Sequence, residues 1–264
     1  MDLDHILAAN RLAMKSDWAS VEANKSDQEK GVAAPPFSVP LPDGSTTIAL
    51  PDPRGAGLGT MSFADCTAGR RSRRKYAAEP ISLAELSFLL WASQGVRDVR
   101  GHNAFRTIPS AGCRHPLDTL VYARRVDGLG AGLYRYVPVG HSLGLLRPAR
   151  PVDGAEPGGN GALDLDARFD AGLLEQLWNC AALFVWTAVP YRTEWRYTTA
   201  SGKLVLLDAG HACQALYGAC EALGLGTCAI GAYDQAKLDG ALGVDGTDEF
   251  AVYAAPVGKP PARP

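Results

Sequence analysis

Leu3, Ile6, Leu7 and Leu12, followed by Met14, recur at near-helical spacing and predict an N-terminal helix over roughly residues 2–14. A second helical piece is expected around Trp18 and Val21. The stretch from Gly31 to Gly59 is dense in Pro and Gly, a loop composition. It is long for a connection, so it is expected to wrap over the body or over a partner subunit. Residues 1–61 thus read as an N-terminal extension, too short to support a core of its own.

Ser82 with Glu85 three residues on is a capping box, and Leu83, Leu86, Leu89 and Leu90 form the apolar stripe that follows, closed by Gly95. Residues 118–126 read as a strand, and Gly128–Pro138 as a turn and strand with a hairpin return at 141–147. Residues 148–166 read as loop and 167–178 as helix. The unbroken apolar run 180–189 fits a strand buried on both faces. Residues 203–223 carry apolar or small residues on nearly all sides. They predict a helix buried on every face, in a core or at an oligomer interface, and ended by Gly224. Residues 226–233 read as strand, 234–242 as a short helix capped by Asp234, and 249–258 as a last strand. Hairpin-linked and crossover-linked strands mixed with helices make the fold α+β.

Of the 264 residues 47% are hydrophobic and 20% charged, and the formal net charge is −2. That composition supports a sizeable core and argues against a general nucleic-acid binder. The six cysteines are scattered, with neither CxxC pairing nor metal-ligand spacing. No secretory signal and no apolar run of about 20 residues appears. Reduced thiols in a cytoplasmic protein, without a metal or a membrane span, are the expectation.

Against this near-neutral background, five basic side chains lie between Arg70 and Lys75, in GRRSRRKY. They repel one another, so an anionic partner is expected, and a compact phosphomonoester suits the guanidinium forks of the four arginines, Arg70, Arg71, Arg73 and Arg74, around the Ser72 hydroxyl. A solvated charged turn is the alternative. A second stretch, FRTIPSAGCRHP, sets Pro109, Ser110, Ala111 and Gly112 in a small-residue turn that lets backbone approach a ligand, or else forms a plain surface turn. In GLGTCAIGAYD, Gly224 is explained by helix capping alone, while Gly231 and Ala232 fall at a strand end. Walker, GxSxG and HExxH motifs are absent from the sequence.

Taken in order, RRSRRKY, RTIPSAG, the long near-neutral helix with GLGTCAIGAYD, and VYAAPVGKP resemble the FMN-dependent nitroreductase superfamily over roughly residues 62–260. RTIPSAG, GLYRYVP with the following HSL, and LLDAGH are most similar to its SagB-type branch, which includes azoline dehydrogenases that make thiazoles and oxazoles. The resemblance implies a nitroreductase-like α+β domain over 62–264, with a mostly antiparallel central sheet flanked by helices. It also implies a homodimer with a long interface helix, and FMN held between the subunits. It assigns Arg70, Arg71, Ser72 and Arg74 to the FMN phosphate and the flavin's polar edge, and Pro109–Gly112 to the ring. Gly231 and Ala232 would face the flavin N5 region. Lys259, or less closely Arg263, would supply a phosphate-binding cation.

Arg106 is a candidate to stabilise the reduced flavin near N1–C2=O, or equally a structural partner for a carboxylate. In the azoline branch a Lys-Tyr pair serves near the flavin, and Arg196-Tyr197 stands in that place. This departs from the pattern, because arginine keeps its proton and cannot act as a base. Tyr197 could transfer a proton or simply pack. His211 reads as structural, and His115 as the histidine nearer the flavin turn. An NAD(P)H-driven reductase of nitro, quinone or other acceptors is therefore expected first, azoline oxidation of a modified peptide second, and a non-catalytic flavin-binding protein third.

Overall fold

In the computed structural model, residues 2–55, 57–101, 103–149 and 165–262 are described. Helices α1 (Leu3–Ala13) and α2 (Trp18–Ala23) open the chain, followed by a short strand β1 (Thr47–Ala49) and helix α3 (Phe63–Gly69). Next come β2 (Ile81–Ser82), α4 (Leu83–Gln94), a hairpin of β3 (Val96–Arg100) and β4 (Asn103–Arg106), β5 (Leu117–Ala123) and β6 (Val126–Asp127). Strands β7 (Gly132–Val137) and β8 (Ser142–Pro148) precede α5 (Leu165–Gly172), β9 (Ala182–Ala188), α6 (Tyr191–Tyr197) and α7 (Ser201–Ala222). The chain closes with β10 (Gly226–Thr227), α8 (Gln235–Leu242) and β11 (Phe250–Gly258).

Seven strands form one sheet in the order β1-β8-β7-β5-β9-β11-β10, and every neighbouring pair is antiparallel. At its centre β9 sets Phe184 opposite Val121 and Ala255, and Val185 opposite Leu120 and Ala254. Phe184 and Trp186 pack on the face covered by α4 and α7, and Leu183 and Val185 on the face covered by α5 and α8. Both faces of β9 are dry, which is why its sequence runs apolar without alternation. The α4 capping box forms as expected, with Ser82 Oγ accepting from Glu85 N at 3.1 Å and Glu85 Oε2 accepting from Ser82 N at 2.6 Å.

The Pro/Gly-rich segment wraps over the body. Val39 N donates to Asp118, Phe37 O accepts from Arg106, Val32 O accepts from the Trp195 indole, and β1 extends the sheet edge beside β8.

Two expectations need correction. The helix expected over 167–178 begins at Leu165 and ends at Gly172, because Leu174, Glu175 and Trp178 all take left-handed backbone. The strand expected over 226–233 is only Gly226–Thr227 with one further bridge at Ile230, since the Ala229 N–H is taken by a side chain, the Tyr217 phenol. In the single chain, one stripe of α7 is open: Leu206 is 62% and Leu207 50% exposed, and Gly210, His211 and Gln214 continue it. His211 lies on this exposed stripe. Most of the loop expected at 148–166 lies outside the described residues, as does Arg263.

Candidate functional site

The basic stretch leaves the end of α3 and runs beside β10. Ser72 bridges Thr227, Arg73 N donates to Thr227 O at 2.9 Å, and Ala77 N donates to Lys259 O at 2.9 Å. The buried Tyr76 phenol donates to Arg73 O at 2.6 Å and lies 3.0 Å from Pro256 O, tying the stretch to β11. Arg70, Ser72, the 227–232 segment and the start of the 259 tail thus converge at the C-terminal end of α7. Tyr217 of α7 stands in their midst. Its hydroxyl lies 3.0 Å from Ser72 Oγ and accepts from Ala229 N at 2.8 Å, and its ring carries the Arg70 guanidinium 5.4 Å from the centroid.

The five cations differ in what they face. Arg71 curls back and donates to the Ala68, Gly69 and Arg70 carbonyls at 2.8, 3.3 and 2.9 Å, neutralising the negative end of α3. Arg73 lies 3.6 Å from Glu221, and its buried Nε has no hydrogen-bond partner. Arg74 and Lys75 are exposed. Among the described residues Glu221 is the one carboxylate within ion-pair distance of this stretch. Five positive charges against one negative fit a multiply charged anion such as a phosphomonoester.

A second cluster forms at the other end of α7. Gly112 takes left-handed backbone (φ 56°), and a β-carbon there would meet the Tyr197 hydroxyl at 2.6 Å and Arg196 Cδ at 3.2 Å. The Pro109–Gly112 turn and the Arg196-Tyr197 pair, remote in sequence, are therefore in contact. Asp208 of α7, buried, faces the same turn: burial pushes its carboxyl pKa up, while the Ser110 hydroxyl and Ala111 N–H pull it down. Trp18 of α2 stands 6.2 Å from the Tyr197 ring. From Asp208 to Tyr217 is nine helical residues, so the two clusters lie about 13 Å apart along α7.

Of the two roles expected for Arg106, its surroundings support the structural one. It is 2% exposed and donates to Gln94 Oε1 at 2.6 Å, Leu117 O at 3.1 Å and Phe37 O at 2.7 Å, so its fork fastens the wrapped segment and is not offered to a ligand. Its hydrogen-bond partners are carbonyl oxygens, and the Asp118 carboxylate is the nearby charge that favours its cationic form. His115 is buried; burial and the neighbouring Arg106 push its pKa down to about 3, so the ring is neutral. Gly231 and Ala232 are exposed, and Ala232 O accepts from Gln176 at 2.9 Å. Sequence reasoning missed Tyr217 and Asp208. Both sit in a helix whose pattern reads as packing, and only the LLDAGH match pointed near Asp208.

The sequence pattern of the nitroreductase family matches residues 67–259. The chain belongs to the nitroreductase family. It is 33% identical over 213 residues to MJ1384 of Methanocaldococcus jannaschii, which carries a provisional nitroreductase name; the match covers 80% of this chain and 96% of that protein. In fold it is similar to a protein of Ralstonia eutropha JMP134, likewise named provisionally as a nitroreductase (TM-score 0.61, 24% identity, 88% of this chain and 100% of that one). It is similar too to a chain of the Escherichia coli microcin synthetase McbBCD complex bound to truncated pro-MccB17 (TM-score 0.57, 15% identity, 78% and 77% covered). As a nitroreductase-family oxidoreductase, the protein combines the expected α+β architecture with the mainly antiparallel sheet. Among the described residues no helix is long and apolar enough to cross a membrane, and no cluster of His, Cys, Asp or Glu could hold a metal ion.

Proposed function

We propose that this protein binds FMN and passes electrons from NAD(P)H to a nitro, quinone or similar small-molecule acceptor. The observation that supports it most is the excess positive charge of Arg70–Lys75, which among the described residues meets the single carboxylate of Glu221. When bound, the flavin supplies hydride-accepting chemistry. Arg70, Ser72 and Arg74, with Lys259, hold the phosphate, and Arg71 adds its field while capping α3. The left-handed Gly112 lets the Pro109–Gly112 backbone approach the ring. Tyr197, resting on Gly112, would move a proton, and the Arg196 guanidinium beside it would orient an anionic substrate.

The reading includes a homodimer. The open stripe of Leu206, Leu207 and Gly210 is an apolar face along α7, and pairing two such faces antiparallel would set the turn end of one helix beside the arginine end of the other. This would join the two clusters that one chain keeps about 13 Å apart. The experiment is reconstitution of purified protein with FMN, followed by anaerobic addition of NADH or NADPH. Bleaching of the bound flavin, and its return on adding a nitroaromatic or quinone, is the expected result. A protein that takes up no FMN overturns the reading.

A SagB-type azoline dehydrogenase is the second reading. The contact between the Arg196-Tyr197 pair and the Gly112 turn favours it, with the fold-level likeness to the microcin synthetase chain alongside. It predicts conversion of a thiazoline-bearing peptide to the thiazole with bleaching of the flavin. A flavin that binds but responds to neither donor leaves a non-catalytic flavin-binding protein.

A further inference from the structure

Tyr217 touches three separate parts of the arginine end. The Ala229 N–H, 2.8 Å away, can only donate, so it occupies a lone pair of the phenol oxygen. The phenol has one proton of its own, and Ser72 Oγ lies 3.0 Å away, a contact in which either hydroxyl can be the donor. The Arg70 guanidinium sits over the ring face, 5.4 Å from its centroid, and is held there by cation–π attraction. Once Ser72 Oγ accepts from Tyr217, its own proton must point elsewhere, and Ser72 is exposed within the basic stretch. With the phenol as donor to Ser72, the contacts form a relay from the Ala229 amide through the phenol and the serine to the open site.

We propose that Tyr217 is a positioning residue for the phosphate end: it fixes Ser72 as an outward hydrogen-bond donor and holds Arg70 by its ring face. The proposal rests on the phosphate reading above and adds that phosphate recognition reaches α7 through a neutral hydroxyl. A hydroxyl set as donor selects an anion over a neutral group, so Tyr217 should govern preference for FMN over riboflavin, which lacks the phosphate.

The test is titration of the full-length protein with FMN and with riboflavin, followed by quenching of flavin fluorescence. Wild type is expected to bind FMN much more tightly. Tyr217→Phe, which keeps the ring under Arg70, should weaken FMN about tenfold, the size of one charge-assisted hydrogen bond, and leave riboflavin unchanged. Ser72→Ala should show the same loss, and the double variant no further loss, because both interrupt one relay. Tyr217→Leu should lose more, since Arg70 loses its platform. Unchanged FMN preference in Tyr217→Phe, losses that add in the double variant, or equal losses for both flavins would overturn the proposal. If Tyr217→Phe does not accumulate, Ser72→Ala decides: full FMN preference there overturns the relay equally. A wild type that binds both flavins alike, or neither, instead removes the phosphate reading on which the proposal stands.

Discussion

Gly112 and Tyr197 are packed so closely that a single methyl group on the glycine would lie 2.6 Å from the phenol oxygen. Two constraints meet there, because Gly112 also needs the left-handed backbone that a β-carbon disfavours. Gly112→Ala is therefore expected to cost about 1 kcal/mol in backbone strain and to push Tyr197 off the turn. Thermal melting should show a modest loss, and reconstitution with FMN a larger one. Adding Tyr197→Phe, which removes the nearest atom, should recover part of the flavin binding; no recovery would mean the backbone alone sets the effect.

Arg70→Ala and Arg74→Ala test the anion site from two sides. Arg70 rests on the Tyr217 ring and Arg74 is exposed, so neither substitution opens the core. Each is expected to weaken FMN binding about tenfold or more, with weaker dependence on salt and little change in melting temperature. Equilibrium dialysis at two ionic strengths checks this. FMN affinity unchanged in both variants would remove the assignment.

Most of the scaffold was legible in the sequence because its signals are local. The Ser82–Glu85 capping box, the apolar run of β9 and the left-handed Gly224 after α7 each carry their own punctuation. The β3–β4 hairpin escaped notice since β3 is nearly all exposed and charged, with no alternation to read. Helix α6 begins on the Pro190 carbonyl and carries few apolar residues, so nothing in its own pattern announces it. At the site, the basic stretch stood out by charge density alone. Arg106 misled for the opposite reason. A single arginine beside a candidate turn reads as a ligand until the chain closes around it and spends its donors on Gln94, Leu117 and Phe37. Tyr217 could not be found from its neighbours in sequence, because its partners Ser72 and Ala229 come together only in the fold.

The open stripe on α7 predicts an association. Leu206 and Leu207 are large, apolar and half or more exposed, and Gly210 beside them would meet nothing if it gained a β-carbon. Leu207→Arg is expected to turn a dimer into a monomer on size-exclusion chromatography, and to reduce FMN retention with it. A wild-type protein that elutes as a monomer, or a variant that stays dimeric and keeps its flavin, would show that the stripe is not the contact.

Asp118 makes a prediction about acid stability. It is buried, accepts from Arg192 and Arg135 at 2.7 Å each and from Val39 N at 2.9 Å, and Arg135 is shared with Glu249 at 2.8 Å. Burial alone would raise its pKa, but the two guanidinium groups and the Val39 amide outweigh that and hold it below the ordinary carboxylate value. A carboxyl whose folded value is depressed contributes stability that is present above its unfolded value, about 3.9, and is lost as pH falls through the folded one. Asp118→Asn keeps the shape and removes the charge, leaving Arg192 buried without its carboxylate. It is expected to destabilise the protein by about 3–5 kcal/mol near neutral pH. Urea unfolding at pH 7, 5 and 3 should show a gap between wild type and variant that is constant down to about pH 5 and narrows below about pH 4. A gap that does not narrow would place the loss in packing rather than in charge. Because Val39 hangs on the same carboxylate, limited proteolysis should also cut the variant first in the wrapped segment around residues 32–50, before the sheet opens.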